Sequence, residues 1–103
     1  MASKQDGQSD TNDNINWDMV SYAISSQYRL TVLERLAEGP ATPTRIASDT
    51  DRHVANISRS IQRLRKRGQV ELLVPEDRKK GRVYGLTKEG EQSWDVIQSQ
   101  DLA

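Results

Sequence analysis

Apolar residues recur along this chain in two rhythms, and the change from one to the other organises it. In NWDMVSYAIS, Trp17, Val20 and Ile24 recur at helical spacing among polar neighbours, which predicts a short amphipathic helix starting near Ile15. In SQYRLTVLERLAEGP, Leu30, Leu33 and Ala37 form a stripe with Val32 and Leu36 beside it, and Gly39 and Pro40 stop the helix. TPTRIASD follows. Thr42 reads as its N-cap, Pro43 occupies the first turn where a missing N–H costs nothing, and Ile46 and Ala47 point inward. This helix is expected to be short, about two turns, ending near Asp49. A longer helix is predicted over 54–67, with Ile57, Ile61 and Leu64 as its buried stripe and Gly68 suited to the left-handed position after it.

Beyond Gly68 the period drops to two. Val70, Leu72 and Val74 alternate with Glu71 and Leu73, as in a strand with one buried face. PEDRKKG reads as a polar turn. RVYGL reads as the returning strand, with Val83 and Gly85 on one face and Arg82, Tyr84 and Leu86 on the other. Thr87 then caps a last helix in KEGEQSWDVIQ, whose apolar edge is Trp94 and Ile97. Helix, helix, short helix, basic helix, hairpin, helix is the order of a winged helix-turn-helix, mainly α with a small β-hairpin (α+β).

Composition narrows this in a few places. At 103 residues the chain supports one domain, expected over 15–99. Residues 1–14, MASKQDGQSDTNDN, read as a disordered acidic leader, and residues 100–103 as a flexible tail. Hydrophobic residues make up 34% and Phe is absent, a lean core for which help from a partner subunit is expected. No cysteine is present and His53 is the single histidine, so disulfides, thiolate sites and multi-histidine metal sites are excluded. No cofactor is implied. The N-terminus lacks the apolar core of a signal peptide and no run has the length of a membrane span, so a soluble, cytoplasmic protein is expected.

Charge changes the picture more. The formal net charge is zero, yet residues 45–82 hold eleven basic and five acidic side chains, and the remainder carries the compensating acid. Five of the nine residues in 59–67 are basic. On a helical wheel Ala55, Arg59, Gln62 and Lys66 oppose the buried stripe, flanked by Asn56 and Arg63. Ala55, Asn56 and Ser58 are small enough for close approach of the backbone to a groove, while Asn56, Arg59 and Arg63 can bond base edges. Thr42, Thr44 and Arg45 near the start of the short helix could hold a phosphate backbone, and so could His53. Arg78, Lys79, Lys80 and Arg82 form a second basic cluster in the hairpin, placed to reach a minor groove or its phosphates.

Each of these features also has a plainer reading. The basic helix could be a solvated face, or could dock on an acidic protein partner. The hairpin charges could simply keep its edge from pairing with other chains. Trp17, Val20, Ile24, Trp94 and Ile97 either close the domain's own core or form a dimer seam, and the lean composition favours the seam. An enzymatic site from Asp49, Asp51 and His53 has no support in their spacing.

QYRLTVLERLAEGPATPTRIA, VANISRSIQRLRKRGQVELL and GRVYGLTKEG, in this order and spacing, resemble the winged-helix transcription regulators of the ArsR/MarR-like type, particularly small archaeal ones, over about residues 26–90. The resemblance implies a homodimer on a pseudo-palindromic DNA duplex, with Asn56, Ser58 and Arg59 entering the major groove. It also implies dimer contacts through the first and last helices, those of Trp17 and Trp94. Thr50 and Arg52 stand where the family usually has apolar residues, so that turn either packs differently or has Arg52 on the DNA backbone. Metal-sensing members need cysteine or several histidines, which this chain lacks. The expectation is a sequence-specific, double-stranded-DNA-binding regulator acting as a dimer, not an enzyme, with no metal and no membrane. Its alternative is a protein-binding winged helix.

Overall fold

Side-chain caps set most of the helix starts. In the computed structural model, which describes residues 16–102, Asn16, Ser26, Thr42 and Thr87 each accept a bond from a backbone N–H three residues on. Such caps are typically worth about 1 kcal/mol each. They open helices α1 (Trp17–Ile24), α2 (Gln27–Ala37), α3 (Pro43–Thr50) and α5 (Lys88–Ser99), while α4 (Val54–Lys66) starts after His53 without a side-chain cap. Gly68 ends α4 at φ 82°. Between α3 and α4 the left-handed residue is Asp51, at φ 55°, and the Arg52 N–H closes the turn on the Ala47 carbonyl at 3.0 Å. The polar turn noted in the sequence therefore packs as a helix cap.

Two strands follow α4, β1 (Val70–Leu72) and β2 (Tyr84–Leu86), antiparallel with Leu72 opposite Tyr84 and Val70 opposite Leu86. Partners in register share a face, so Val70, Leu72, Tyr84 and Leu86 point one way and Leu73 the other, where it is exposed. Ala41 adds a one-residue third strand, exchanging two backbone bonds of 3.0 and 2.9 Å with Tyr84.

The core centres on α4. Ile57, Ile61 and Leu64 are fully buried against Leu33 of α2, Ile46 of α3 and Val70 of β1 in one cluster. Along α2 the buried edge is Val32, Leu33 and Leu36, so the expected stripe is rotated: Leu30 is half-buried and Ala37 exposed. Val20, Trp94 and Ile97 also belong to this cluster. α1 and α5 pack on each other, so these three expected seam residues serve the chain's own core, at 2%, 8% and 0% exposure. Of the expected seam residues, Trp17 remains 43% exposed and Ile24 half-buried. Residues 1–15, with the expected acidic leader and Ile15, lie outside the described residues. At the other end, the expected tail turns back as a cap, with Asp101 left-handed and the Leu102 N–H on the Ile97 carbonyl at 2.8 Å.

Gln69, at the α4–β1 junction, is buried, and its amide donates to the Met19 carbonyl (3.3 Å) and the Ser93 hydroxyl (3.0 Å). The first turn of α5 lies directly on its backbone: a Cβ at Gly90 would sit 2.0 Å from the Gln69 carbonyl oxygen. Gly90→Ala should therefore destabilise the fold by about 3 kcal/mol or more, since backbone rather than a side chain must move. Gly85→Ala should cost less, because its Cβ meets the movable Leu73 Cδ1, at 2.8 Å. Urea unfolding of the two variants gives the comparison.

Candidate nucleic-acid interface

Opposite its buried stripe, α4 presents Ala55, Arg59, Gln62, Arg63 and Lys66 to solvent, with Asn56 and Ser58 half-buried at the flanks. Asn56 Oδ1 accepts a bond from Arg59 Nη1 at 3.0 Å, so these two polar side chains are ordered as a unit one helical turn apart. The base-edge candidates named from sequence thus do share one accessible surface.

The basic residues divide into two groups. Arg65 and Arg82 both hold the Glu76 carboxylate, at 2.6 and 3.1 Å, which braces the base of the hairpin against α4. A second brace joins Gln62 to the Tyr84 hydroxyl at 3.1 Å. Arg67 lies 4.0 Å from the Tyr22 ring centroid, and Arg29 lies 3.9 Å from it. The C-terminal end of α4 therefore uses Arg65 and Arg67 for internal contacts. Arg59, Arg63 and Lys66 pair with no carboxylate among the described residues.

Elsewhere the expected backbone-holding residues have mixed placements. Thr44 and His53 are exposed. Thr42 Oγ1 is engaged as the α3 cap, accepting from the Arg45 N–H at 3.2 Å. Arg45 pairs with Asp49 at 3.1 Å but keeps 68% of its side chain exposed, and Arg35 holds the same carboxylate at 3.0 Å. Arg52 is half-buried with its guanidinium 5.3 Å from the Tyr28 ring centroid, directed onto α2. In the hairpin, Arg78, Lys79 and Lys80 are exposed, and Arg78 Nε donates to the Lys80 carbonyl at 3.0 Å. Arg82 belongs to the base of the wing through Glu76, so the tip holds three of the four expected cations.

Two residues here are not marked by periodicity. Glu76 reads as one polar turn residue, although a carboxylate between two basic clusters is a signal for bracing. Val54, which opens α4, is 46% exposed.

The Arg35 hydrogen bond is the main cause holding the Asp49 carboxyl below its ordinary value; desolvation opposes it and Arg45 reinforces it. Glu76 is lowered likewise, first by its hydrogen bond from Arg65. With the folded value below the unfolded one, both groups contribute stability above the ordinary carboxylate range and lose it as pH falls through the lowered value. Among the described residues no His, Cys, Asp and Glu cluster could hold a metal ion, and no helix is long and apolar enough to cross a membrane.

The split of the basic residues has a measurable consequence. Arg67→Ala should lower unfolding free energy by roughly 0.5–1 kcal/mol through loss of the contact with Tyr22. Lys66→Ala, one position earlier but solvent-facing, should leave the unfolding midpoint unchanged. Thermal unfolding of the pair checks this.

No curated protein matches the sequence. Solved structures do match the fold. One is a protein described as a MarR-family transcriptional regulator from Enterococcus faecalis V583 (TM-score 0.72, 15% identity, covering 98% of this chain and 88% of that one). Another is a protein described as a probable transcriptional regulator from Pseudomonas aeruginosa (TM-score 0.65, 20% identity, 82% and 68%). A third is a mutant MarR from E. coli complexed with operator DNA (TM-score 0.60, 21% identity, 89% and 71%). At these identities the likeness establishes a shared fold, the winged helix of MarR-type regulators. Residues 17–100 match the family described as the HVO_A0261 N-terminal domain, and the chain belongs to that family.

Proposed function

We propose that this chain is a sequence-specific, double-stranded-DNA-binding transcriptional regulator that acts as a dimer. The observation that carries this reading is the outward face of α4. Ala55, Asn56, Ser58 and Arg59 form a small, polar surface with a preordered Asn56–Arg59 pair, beside cations free of carboxylate partners among the described residues. A major groove needs that combination: little bulk near the helix start, and fixed donors for base edges. In this reading α4 enters the major groove, and Arg78, Lys79 and Lys80 of the wing reach the flanking minor groove or its phosphates. Thr44, Arg45 and His53, accessible at the helix-turn-helix, face the backbone. A neighbour of the same fold is solved with operator DNA, which supports duplex DNA as the partner.

Dimerisation in this reading uses what α1 and α5 leave exposed, led by Trp17 with the half-buried Ile24. Two copies related by a two-fold axis would present their α4 helices to half-sites about one helical turn apart, or a multiple of that. Regulation would follow from occupancy of the site.

Arg59→Ala should cost about 1–3 kcal/mol of DNA binding and relax preference at one base pair. Lys79→Ala or Lys80→Ala should weaken every duplex alike and reduce the salt slope by about one. Gel shifts over a salt series, with duplexes selected from a random pool, measure both. Unchanged affinity and selectivity for Arg59→Ala at fixed salt would remove α4 from base recognition. Absence of duplex binding even at low salt would point to an acidic protein partner instead.

A further inference from the structure

Val54 opens α4 and is 46% exposed, whereas the other large aliphatic side chains of the helix, Ile57, Ile61 and Leu64, are fully buried. Val54 stands outside the core cluster that holds those three. β-branched residues are weak helix formers, and a first turn gains more from Pro, Asp or Glu, yet this turn holds no acidic residue. Its neighbours His53 and Ala55 are themselves exposed, and nearly half of the valine's surface is open to solvent. Single exposed apolar residues are ordinary on a protein surface. The place of this one is what matters: the N-terminal turn of the helix, inside a polar and basic surface, where recognition helices come closest to base edges.

The major groove presents one apolar group, the C5-methyl of thymine. We infer that Val54 reads a thymine in each half-site by packing its methyls against that C5-methyl, an assignment that rests on the DNA-binding reading above. Arg59 lies five residues further along the helix, about 7.5 Å at the helical rise per residue. The same five residues turn the helix to leave the two side chains about 140° apart around it, so Val54 and Arg59 address different base pairs, one by apolar contact and one by hydrogen bonding.

The test uses the full chain and a duplex selected by it from a random pool. Each thymine of the half-site is replaced in turn by deoxyuridine, which removes only the methyl group. One position should weaken wild-type binding by about fourfold, the equivalent of one lost methyl contact at ~0.8 kcal/mol. Val54→Ala should bind the thymine and deoxyuridine duplexes equally at that position, while keeping the wild-type response to changes at the Arg59 pair. Val54→Ser, which suits a helix start, provides a second variant if the alanine form unfolds, and circular dichroism reports the fold of each. If the wild type binds DNA but no deoxyuridine position separates it from either variant, Val54 is not a thymine reader and the DNA-binding reading stands. If the wild type binds no duplex at low salt, both are overturned.

Discussion

Gln69 donates its backbone N–H to the Leu64 carbonyl at 2.9 Å, and its own carbonyl accepts the Thr87 N–H at 3.1 Å. Its side-chain amide reaches Met19 and Ser93. The end of α4, the return of the hairpin, α1 and α5 thus converge on one buried residue, and Gly90 is what lets α5 come close enough to join them. A buried amide left without these partners would carry the full penalty of desolvation. The junction therefore holds as a set of mutually supporting bonds, and α4 is presented to solvent at an angle fixed from behind.

On the outer side, charge is allocated unevenly. Counting cations along residues 45–82 suggests a broad positive surface, but Glu76 engages Arg65 and Arg82, Asp49 engages Arg45 and Arg35, and the Tyr22 ring lies against Arg67 and Arg29. With Arg52 turned toward the Tyr28 ring and Arg45 paired yet 68% exposed, the cations without any such contact are fewer: Arg59, Arg63 and Lys66 on α4 and the three at the wing tip. Salt screening acts most strongly on such exposed charges. The ion-pair braces lie at the surface, with Glu76 71% and Arg45 68% exposed, and they leave the remaining cations as the uncommitted charge.

Local chemistry made much of this legible in the sequence. The Ile57, Ile61, Leu64 stripe, the caps at Thr42 and Thr87 and the break at Gly68 each depend on residues within a turn of one another. The exposure of Ala55 and Arg59 follows from the same wheel. What periodicity cannot tell is what covers an apolar face. Val20, Trp94 and Ile97 read either as core or as seam, and within the chain they pack between α1 and α5. Contacts between distant positions were equally hidden: Gly90 on Gln69, Glu76 with Arg65, and Arg67 with Tyr22 leave no regular spacing to read. Asp51 in a left-handed conformation was illegible for another reason, since aspartate adopts it only in a minority of contexts.

The pairing of Ala41 with Tyr84 makes the linker between α2 and α3 part of the sheet, so β2 is clamped along both edges at that point. The last backbone bond of the ladder runs from Leu73 to Val83 at 2.8 Å, and only residues 74–82 extend beyond it. Mechanically this is a paired stem carrying a short turn. Glu76, inside that span, is bonded to Arg65 of α4, so only residues 77–81 lie beyond every tie to the body of the fold. The hairpin is thus anchored twice, to the α2–α3 linker through Ala41 and to α4 through Glu76, and its basic tip is held at a set place beside that helix.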